Sequence, residues 1–350
     1  MKWRKGVNGQ GIMKDERYSR QVLFTGIGAR GQQLIQQASA LIIGCGALGT
    51  VSANNLARAG VGTIKIADRD YVELDNLQRQ VLFDEDDAGE RLPKAVAAVE
   101  KLKKINSDIH IEPIILDINP NNIETMINSV DLVLDGTDNM ETRYLINDAC
   151  IKGGIPWIYA GVVSSRGMTM TIIPGKSACF RCIMEQPPLP GSMPTCDMVG
   201  VLNGVPGVIA SIQATEALKI LTGHEEESHP LIHVDLWNGR FGRVHMERNP
   251  ACPTCARNQF DFLHGHSLSE AYSICGRNAV QISPIKDSGI DMETLKARLM
   301  PLGTVDDNGF FLSFKVGQFE LIIFPEGRAM IKGTTDESVA RSLYAKYIGT

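Results

Sequence analysis

The sequence predicts an α/β protein built on a Rossmann-like mixed sheet, parallel in its first half and antiparallel in its second, followed by a small α+β unit. Three observations carry this. Leu41-Ile42-Ile43 runs directly into Gly44, Gly46 and Gly49 at G-x-G-x-x-G spacing. Strand-like and helix-like segments alternate up to Gly153, as a parallel sheet requires, and stop alternating after it. From Val280 onward, short apolar runs and turns form a separate set of strands and helices.

The glycine stretch organises the chain. Leu41-Ile42-Ile43 is the strand, Leu48 to Ala59 the helix, Gly60 and Gly62 its end, and Ile64-Lys65-Ile66-Ala67 the next strand, ending at Asp68. The first glycine permits the tight turn, the second lets a phosphate approach the backbone, and the third lets helix pack on strand. The helix N-terminus then faces the anion, and Asp68 is placed to accept hydrogen bonds from ribose hydroxyls. These features point to a nucleotide without naming it.

The composition narrows the class. A length of 350 residues with 43% hydrophobic content is ample for one large domain plus a small one. A net charge of -5 and a pI near 5.9 argue against a general nucleic-acid role. Apolar runs are shorter than a bilayer, and the cationic, Gly-rich first dozen residues lack the apolar core of a secretory signal. We therefore expect a cytoplasmic protein with no membrane partner, and residues 1–14 as a flexible extension. Eight cysteines in a reducing compartment point to metal binding or thiol chemistry.

The segment Asp15 to Phe24 reads from composition as a solvated helix or arm, and Gln32 to Ala38 as the helix before the first strand. After Asp68 comes a run dense in polar function, ending in Asn76, Arg79 and Gln80. A dinucleotide oxidoreductase has no evident use for that cluster; an enzyme handling a triphosphate does. Arg79 offers a planar fork for phosphate oxygens, and Asn76 can orient a phosphate. Lys94 follows Pro93 at the start of the helix Ala95 to Lys104, where its charge opposes the helix dipole unless an anion sits there. An ordinary solvated lysine is the other reading. Ile109 to Ile115 is the next strand, Asn122 to Asn128 a short helix, and Asp131 to Asp135 a buried strand opening into Gly136-Thr137-Asp138-Asn139. Asp138 is a candidate magnesium ligand at the carboxyl edge of the sheet, or the N-cap of the helix Met140 to Lys152.

The second half carries strands at Trp157 to Val163, Gly167 to Ile173, Ile232 to Trp237 and Val244 to Arg248, with a helix from Val205 to Leu221. Cys179/Cys182 and Cys252/Cys255 form two C-x-x-C pairs separated by 69 residues. Four thiolates so arranged suit a closed, structural zinc site rather than redox pairs. Between them a Pro-rich stretch delivers Cys196, either a nucleophile or a residue at the foot of the next helix. Cys45, Cys150 and Cys275 look less chemical. Residues 15–260 form the main domain, 261–277 a linker, and 278–350 a small domain whose bland role is packing or docking.

Taken together, these residues resemble the ThiF/MoeB/HesA family, which adenylylates ubiquitin-like sulfur carriers in thiamine and molybdopterin synthesis. The resemblance runs from about Arg17 to Cys255. It rests on Arg17-Tyr18-Ser19-Arg20-Gln21, the Gly44 to Gly49 turn, Asp68 to Gln80, Lys94, Thr137-Asp138-Asn139 and both cysteine pairs. It implies ATP as substrate, with Asp68 on the ribose, Asn76, Arg79, Gln80 and Lys94 on the triphosphate, and Asp138 on magnesium. It implies a homodimer in which Arg20 reaches the partner subunit's site, and a crossover-loop role in sulfur transfer for Cys196. The partner implied is a sulfur carrier ending in Gly-Gly, of the thiamine type or, alternatively, the molybdopterin type. A cysteine desulfurase or other persulfide donor is implied as well. A dinucleotide oxidoreductase and a non-catalytic carrier-binding scaffold are the competing classes. The first leaves Arg79, Lys94 and the cysteines unexplained; the second would be marked by loss of Arg79, Lys94 or Asp138, all of which are present.

Overall fold

The computed structural model describes residues 16–189, 192, 196–224, 228–265, 271–274, 278–283 and 289–349. Its larger sheet has eight strands, β1 (Ser39–Ile43), β2 (Thr63–Ala67), β3 (His110–Ile114), β4 (Leu132–Asp135), β5 (Trp157–Val163), β6 (Arg166–Ile172), β7 (Leu231–Asp235) and β8 (Arg240–Val244). They lie in the order β3-β2-β1-β4-β5-β6-β7-β8. Pairing is parallel from β3 to β5 and antiparallel from β5 to β8. The connections explain the change. Before β5 the chain returns through crossover helices, whereas β5–β6 and β7–β8 are hairpins.

The parallel strands are buried on both faces, which is why they read as continuous apolar runs. Along β1, Ala40 and Ile42 enter one core with Ala53, Leu56, Ala98 and Ala217. Leu41 and Ile43 enter the other with Ile127, Leu145, Ala149 and Trp157. The helices Ala47–Ala59, Lys94–Ile105 and Gly204–Leu221 thus cover one face, and Ile123–Ile127 and Met140–Gly153 the other.

One expectation moves and another gains an anchor. The strand expected at Val244 to Arg248 lies at Arg240–Val244, because the turn after β7 is tight: Gly239 takes φ 60 and Asp235 pairs with Arg240. The Asp15 to Phe24 segment, where described, is a mostly exposed arm, as its composition suggests, but it is anchored at two residues. Tyr18 is 4% exposed and its hydroxyl accepts from Asn106 Nδ2 at 2.8 Å, while Gln21 Nε2 donates to Ala59 O at 2.9 Å. Gly60 ends its helix at φ +86, and a β-carbon there would come 2.5 Å from the Tyr18 ring. Arg20 remains exposed.

The smaller sheet is wholly antiparallel, in the order β11-β12-β13-β14-β10-β9. Its strands are β9 (Ala271–Ile274), β10 (Ala279–Ile282), β11 (Thr304–Asp307), β12 (Leu312–Val316), β13 (Phe319–Ile323) and β14 (Ala329–Lys332). Strand β9 falls inside the stretch read as a linker. One face packs Val280, Phe314, Leu321 and Ile331 against Leu295 and Leu299 of the helix Met292–Leu299 and Ala340 of Glu337–Tyr347. The other packs Phe311, Ile322, Phe324 and Met330 against Tyr71 of the larger unit.

Candidate active site

The chain leaves β1 toward β2 on one side and meets β4 on the other, so the carboxyl ends of β1 and β4 form the crevice where open α/β sheets bind ligands. Glycine builds that crevice. Gly44, at φ +90, would bring a β-carbon to 2.7 Å from the Gly136 backbone, and a β-carbon on Gly49 would overlap the carbonyl oxygen of Gly44. Gly46 differs: the nearest atom to a β-carbon there is Gln80 Nε2 at 4.0 Å. The first and third glycines therefore serve packing, while the second leaves open space. The helix Ala47–Ala59 begins at Gly46 with no side-chain cap, leaving its first N–H groups for an anion.

Asp68 closes one side of that space. Its Oδ2 accepts from Cys45 N at 2.5 Å and its Oδ1 from Asp70 N at 2.7 Å. Burial pushes its carboxyl above the ordinary range, against the pull of the Lys94 charge. Both oxygens keep further lone pairs for a ligand's hydroxyls. Cys45 is a fully buried turn residue, its thiol pushed up by burial and then by Asp68. Lys94 is buried at the helix N-terminus, and Asp70 Oδ2 lies 3.5 Å from its ammonium. This carboxylate supplies the anion that the position calls for and leaves the ammonium with donors to spare.

The Asn76, Arg79 and Gln80 cluster divides. Asn76 is fully buried and busy: its Oδ1 accepts from Glu73 N at 3.3 Å and its Nδ2 donates to Asp75 Oδ1 at 2.7 Å, which caps the short turn Leu74–Asn76. It shapes the site rather than offering a free amide. Arg79 gives one N–H to Asp75 O at 2.7 Å and keeps the rest of its fork. Gln80 is 4% exposed, with its Oε1 buried and unpartnered among the described residues. The atom nearest the open space at Gly46 is the Gln80 Nε2, a donor that a ligand's oxygen can meet.

On the β4 side, Asn139 caps the helix Met140–Gly153 by accepting from Thr142 N at 2.8 Å. Asp138 is thus not the cap; it is exposed, and among the described residues its carboxylate feels the charge of Arg143 but makes no hydrogen bond. Beneath the loop lies a buried ion pair that the sequence reading missed. Arg143 Nε donates to Asp135 Oδ2 at 3.1 Å and its Nη2 to Thr137 O at 2.6 Å, while Thr137 N and Oγ1 donate to Asp135 Oδ1 at 2.8 and 2.7 Å. Gln213, also missed, donates to both Asp135 O and Ile158 O at 2.9 Å and accepts from Ser52 Oγ at 2.8 Å. Its signal was available: Ile209, Gln213 and Ala217 share one helix face at four-residue spacing, so an amide among apolar neighbours had to be paired inside.

The four paired cysteines come together away from this crevice. Their sulfurs all lie within 4.8 Å of one another, with Cys179 and Cys252 at 3.5 Å and Cys182 and Cys255 at 3.4 Å. Tetrahedral zinc with bonds of about 2.3 Å sets sulfurs about 3.8 Å apart, so the cluster has the dimensions to hold a metal ion. Asp148, on the helix Met140–Gly153, braces it by accepting from Thr254 Oγ1 at 2.8 Å and Phe262 N at 3.0 Å. Cys150 is buried in the same helix with its thiol pushed up by burial. Cys196 begins the short helix Cys196–Val199, but its side chain lies outside the described residues, as does Cys275.

The ThiF family profile matches residues 18–254, more than half of the chain. The chain belongs to the ThiF family. Among its relatives in that family, the sulfur carrier protein ThiS adenylyltransferase of Bacillus subtilis (strain 168) is 42% identical over 337 residues, covering 95% of this chain and 99% of that protein. The adenylyltransferase and sulfurtransferase MOCS3 of Xenopus laevis is 35% identical, covering 75% of this chain and 57% of that protein. The crystal structure of E. coli MccB with ATP is similar at a TM-score of 0.61 and 26% identity, over 68% of this chain and 73% of that one. The ThiF match ends before the smaller sheet, which the Bacillus relative's coverage includes. Among the described residues no helix is long and apolar enough to cross a membrane.

Proposed function

We propose that this protein adenylylates the C-terminal glycine of a ubiquitin-like sulfur carrier of the thiamine thiazole type, giving carrier acyl-AMP and pyrophosphate. The observation that carries this reading is the space over Gly46, bordered by the Gln80 Nε2 donor in a crevice that also bears Lys94 and Asp138. The thiazole-type carrier is favoured over the molybdopterin type because the relative named for ThiS matches 95% of the chain, including the smaller sheet, whereas the MOCS3 relative matches 75%.

The chemistry follows from charge. The carrier's carboxylate, ionised at neutral pH, attacks the α-phosphate of ATP without a general base. Both reactants are anions, so the work of the site is positioning and neutralisation. Asp68 accepts from the ribose hydroxyls, the N–H groups at the start of Ala47–Ala59 and the amide of Gln80 meet phosphate oxygens, and Arg79 and Lys94 offset their charge. Asn76 keeps its turn in place. Magnesium, held by the exposed carboxylate of Asp138, supplies further neutralisation of the triphosphate when bound. Zinc in the four-cysteine cluster is structural, since four sulfurs leave it no open position.

The finer organisation belongs to the same reading. The enzyme acts in the cytoplasm as a homodimer, with exposed Arg20 entering the partner subunit's site. A cysteine desulfurase or similar persulfide donor completes the thiocarboxylate, and Cys196 serves that later transfer. Carrier-dependent exchange of labelled pyrophosphate into ATP, run with thiamine-type and molybdopterin-type carriers each ending in Gly-Gly, tests it. Exchange with the thiamine-type carrier is expected. ATP binding without exchange with either carrier would favour a non-catalytic scaffold, and absence of ATP binding would overturn the nucleotide site.

A further inference from the structure

The smaller sheet meets the larger unit through Tyr71 and Glu73 on one short segment, through Arg91, and through Asp117, whose Oδ2 accepts from Gln281 Nε2 at 2.9 Å. Tyr71, 2% exposed, packs against Phe311 with ring centroids 5.3 Å apart and the planes tilted by 42°. Lys332, at the end of β14, donates to Glu73 Oε1 at 2.7 Å and sits 5.1 Å above the Tyr71 ring. Arg91 donates to Glu320 Oε1 of β13 at 2.8 Å and to the Tyr71 hydroxyl at 3.0 Å. Ser313 of β12 holds the same Glu320 oxygen at 2.7 Å, and Asn308 Nδ2 donates to Arg91 O at 3.2 Å.

This gripped segment lies between two halves of the nucleotide crevice. Before it come Asp68 and Asp70, the latter bound through its carbonyl to Lys94 N at 2.9 Å and through its carboxylate to the Lys94 ammonium at 3.5 Å. After it comes the turn Leu74–Asn76, closed on Glu73: Asn76 N donates to Glu73 O at 2.9 Å, and Glu73 N donates to Asn76 Oδ1 at 3.3 Å. Arg79 N and Gln80 N in turn donate to Asn76 O at 3.1 and 2.9 Å. One residue, Glu73, therefore holds Lys332 of the smaller sheet through its carboxylate and, through its backbone, the turn from which Arg79 and Gln80 hang.

We propose that the smaller sheet is a positioning element for the nucleotide site, with Lys332 and Glu320 acting through Glu73 and Arg91 to fix the turn that presents Arg79 and Gln80 to the space over Gly46. The inference rests on the ATP reading above and gives residues 278–350 a part in it. The physical reason is desolvation. A half-buried carboxylate is kept inside by its ammonium partner; without that partner it is drawn toward water, and the Glu73 backbone that closes the turn moves with it.

The test uses the full chain and four variants. Lys332→Met removes the ammonium, Lys332→Arg restores a cation, and Glu320→Gln weakens the second contact. Leu299→Val opens a small cavity on the far face of the same sheet, where Leu299 is fully buried, without touching the contact. Two readouts are taken: the ATP dependence of carrier-dependent pyrophosphate exchange, and amide hydrogen exchange of residues 74–80. Lys332→Met is expected to raise KM for ATP about fivefold with kcat changed less than about twofold, and to speed exchange at Asn76, Arg79 and Gln80. Glu320→Gln is expected to act in the same direction, Lys332→Arg to restore wild-type behaviour, and Leu299→Val to alter neither readout. Wild-type values of both in Lys332→Met, or equal effects from Leu299→Val, would overturn the proposal. The amide arm needs no nucleotide. A wild-type protein that binds no ATP refutes the nucleotide reading alone, and the amides still decide whether the smaller sheet holds the turn.

Discussion

Gly49 lies directly against Gly44: a β-carbon on the helix residue would occupy the space of the turn residue's carbonyl oxygen. Two strands and a helix start are drawn together at that contact, since Gly44 also abuts the Gly136 backbone. The glycines of the motif consequently fail in different ways. Gly49→Ala is expected to cost about 3 kcal/mol or more through backbone overlap, read as a lowered urea midpoint. Gly46→Ala is expected to fold at near wild-type stability and to weaken ATP binding about tenfold or more, because its methyl enters the ligand's space rather than the protein's. Equal stability losses in the two variants would contradict this division.

Gln80 offers a prediction of opposite sign for stability and binding. Its buried Oε1 has no partner among the described residues, a state that costs about 1–3 kcal/mol. Gln80→Met keeps the shape and removes the orphan. The variant is expected to be as stable as wild type or slightly more so, and to bind ATP about tenfold more weakly by calorimetry. A less stable variant with unchanged affinity would show that the amide serves the fold.

The extent to which these features were legible in the sequence depended on where their partners lie. The turn Gly44 to Gly49, the helix after it and Asp68 follow one another along the chain, so local periodicity and spacing sufficed. Strand β5 was readable to its last residue, because Trp157 to Val163 is apolar and bounded by Pro156 and Ser164. Strand β11 was not: Thr304–Asp307 is polar, and its identity as an edge strand comes from pairing with β12. The Asp135–Arg143 pair was hidden for a similar reason. Arg143 looks like any charged residue on a helix, and only the approach of β4 buries it. The sequence offered Asp138 the capping role; the turn geometry awards it to Asn139.

Asp148 predicts a pH dependence. Burial pushes its carboxyl up to about 6, against the hydrogen bonds from Thr254 and Phe262. A carboxyl higher in the folded than in the unfolded chain takes up a proton on folding, so the unfolded state binds fewer protons between about pH 4 and 6. Its contribution to stability is therefore largest below that window, declines as pH rises through it, and is level above. Urea midpoints from pH 4 to 8 should show wild type losing stability relative to Asp148→Asn up to about pH 6, with a constant difference beyond. A difference that is flat across the range would remove Asp148 as the source.

The four-cysteine cluster predicts metal-dependent stability. Protein purified without chelator should carry one zinc per chain by elemental analysis. Free metal at a thousandfold excess over its dissociation constant contributes about 4 kcal/mol, so stripping it should lower the thermal midpoint by about 10 °C. Recovery on adding zinc would complete the test, whereas a midpoint indifferent to chelation would leave the cluster as buried thiols.

Strand β5 divides the molecule in time as well as in space. On one side its partner is β6, reached through a hairpin in which Val163 faces Arg166 across a turn at Ser164 with φ 55. On the other side stands the parallel half, whose central pairing joins Ala40 to Leu132 across the intervening β2 and β3. Local hairpins close at little entropic cost, whereas pairing over such a separation comes only after much of the chain has been ordered. The glycine crevice needs that second pairing, because Gly136 N reaches Ile43 O at 2.7 Å only once β1 and β4 are side by side. In a refolding chain the β5–β6 amides are thus expected to gain protection from pulsed hydrogen exchange before Gly136 does, and simultaneous protection would argue against it. A full-length chain refolding from denaturant would thus hold its β5–β6 hairpin before it owned a place for a nucleotide.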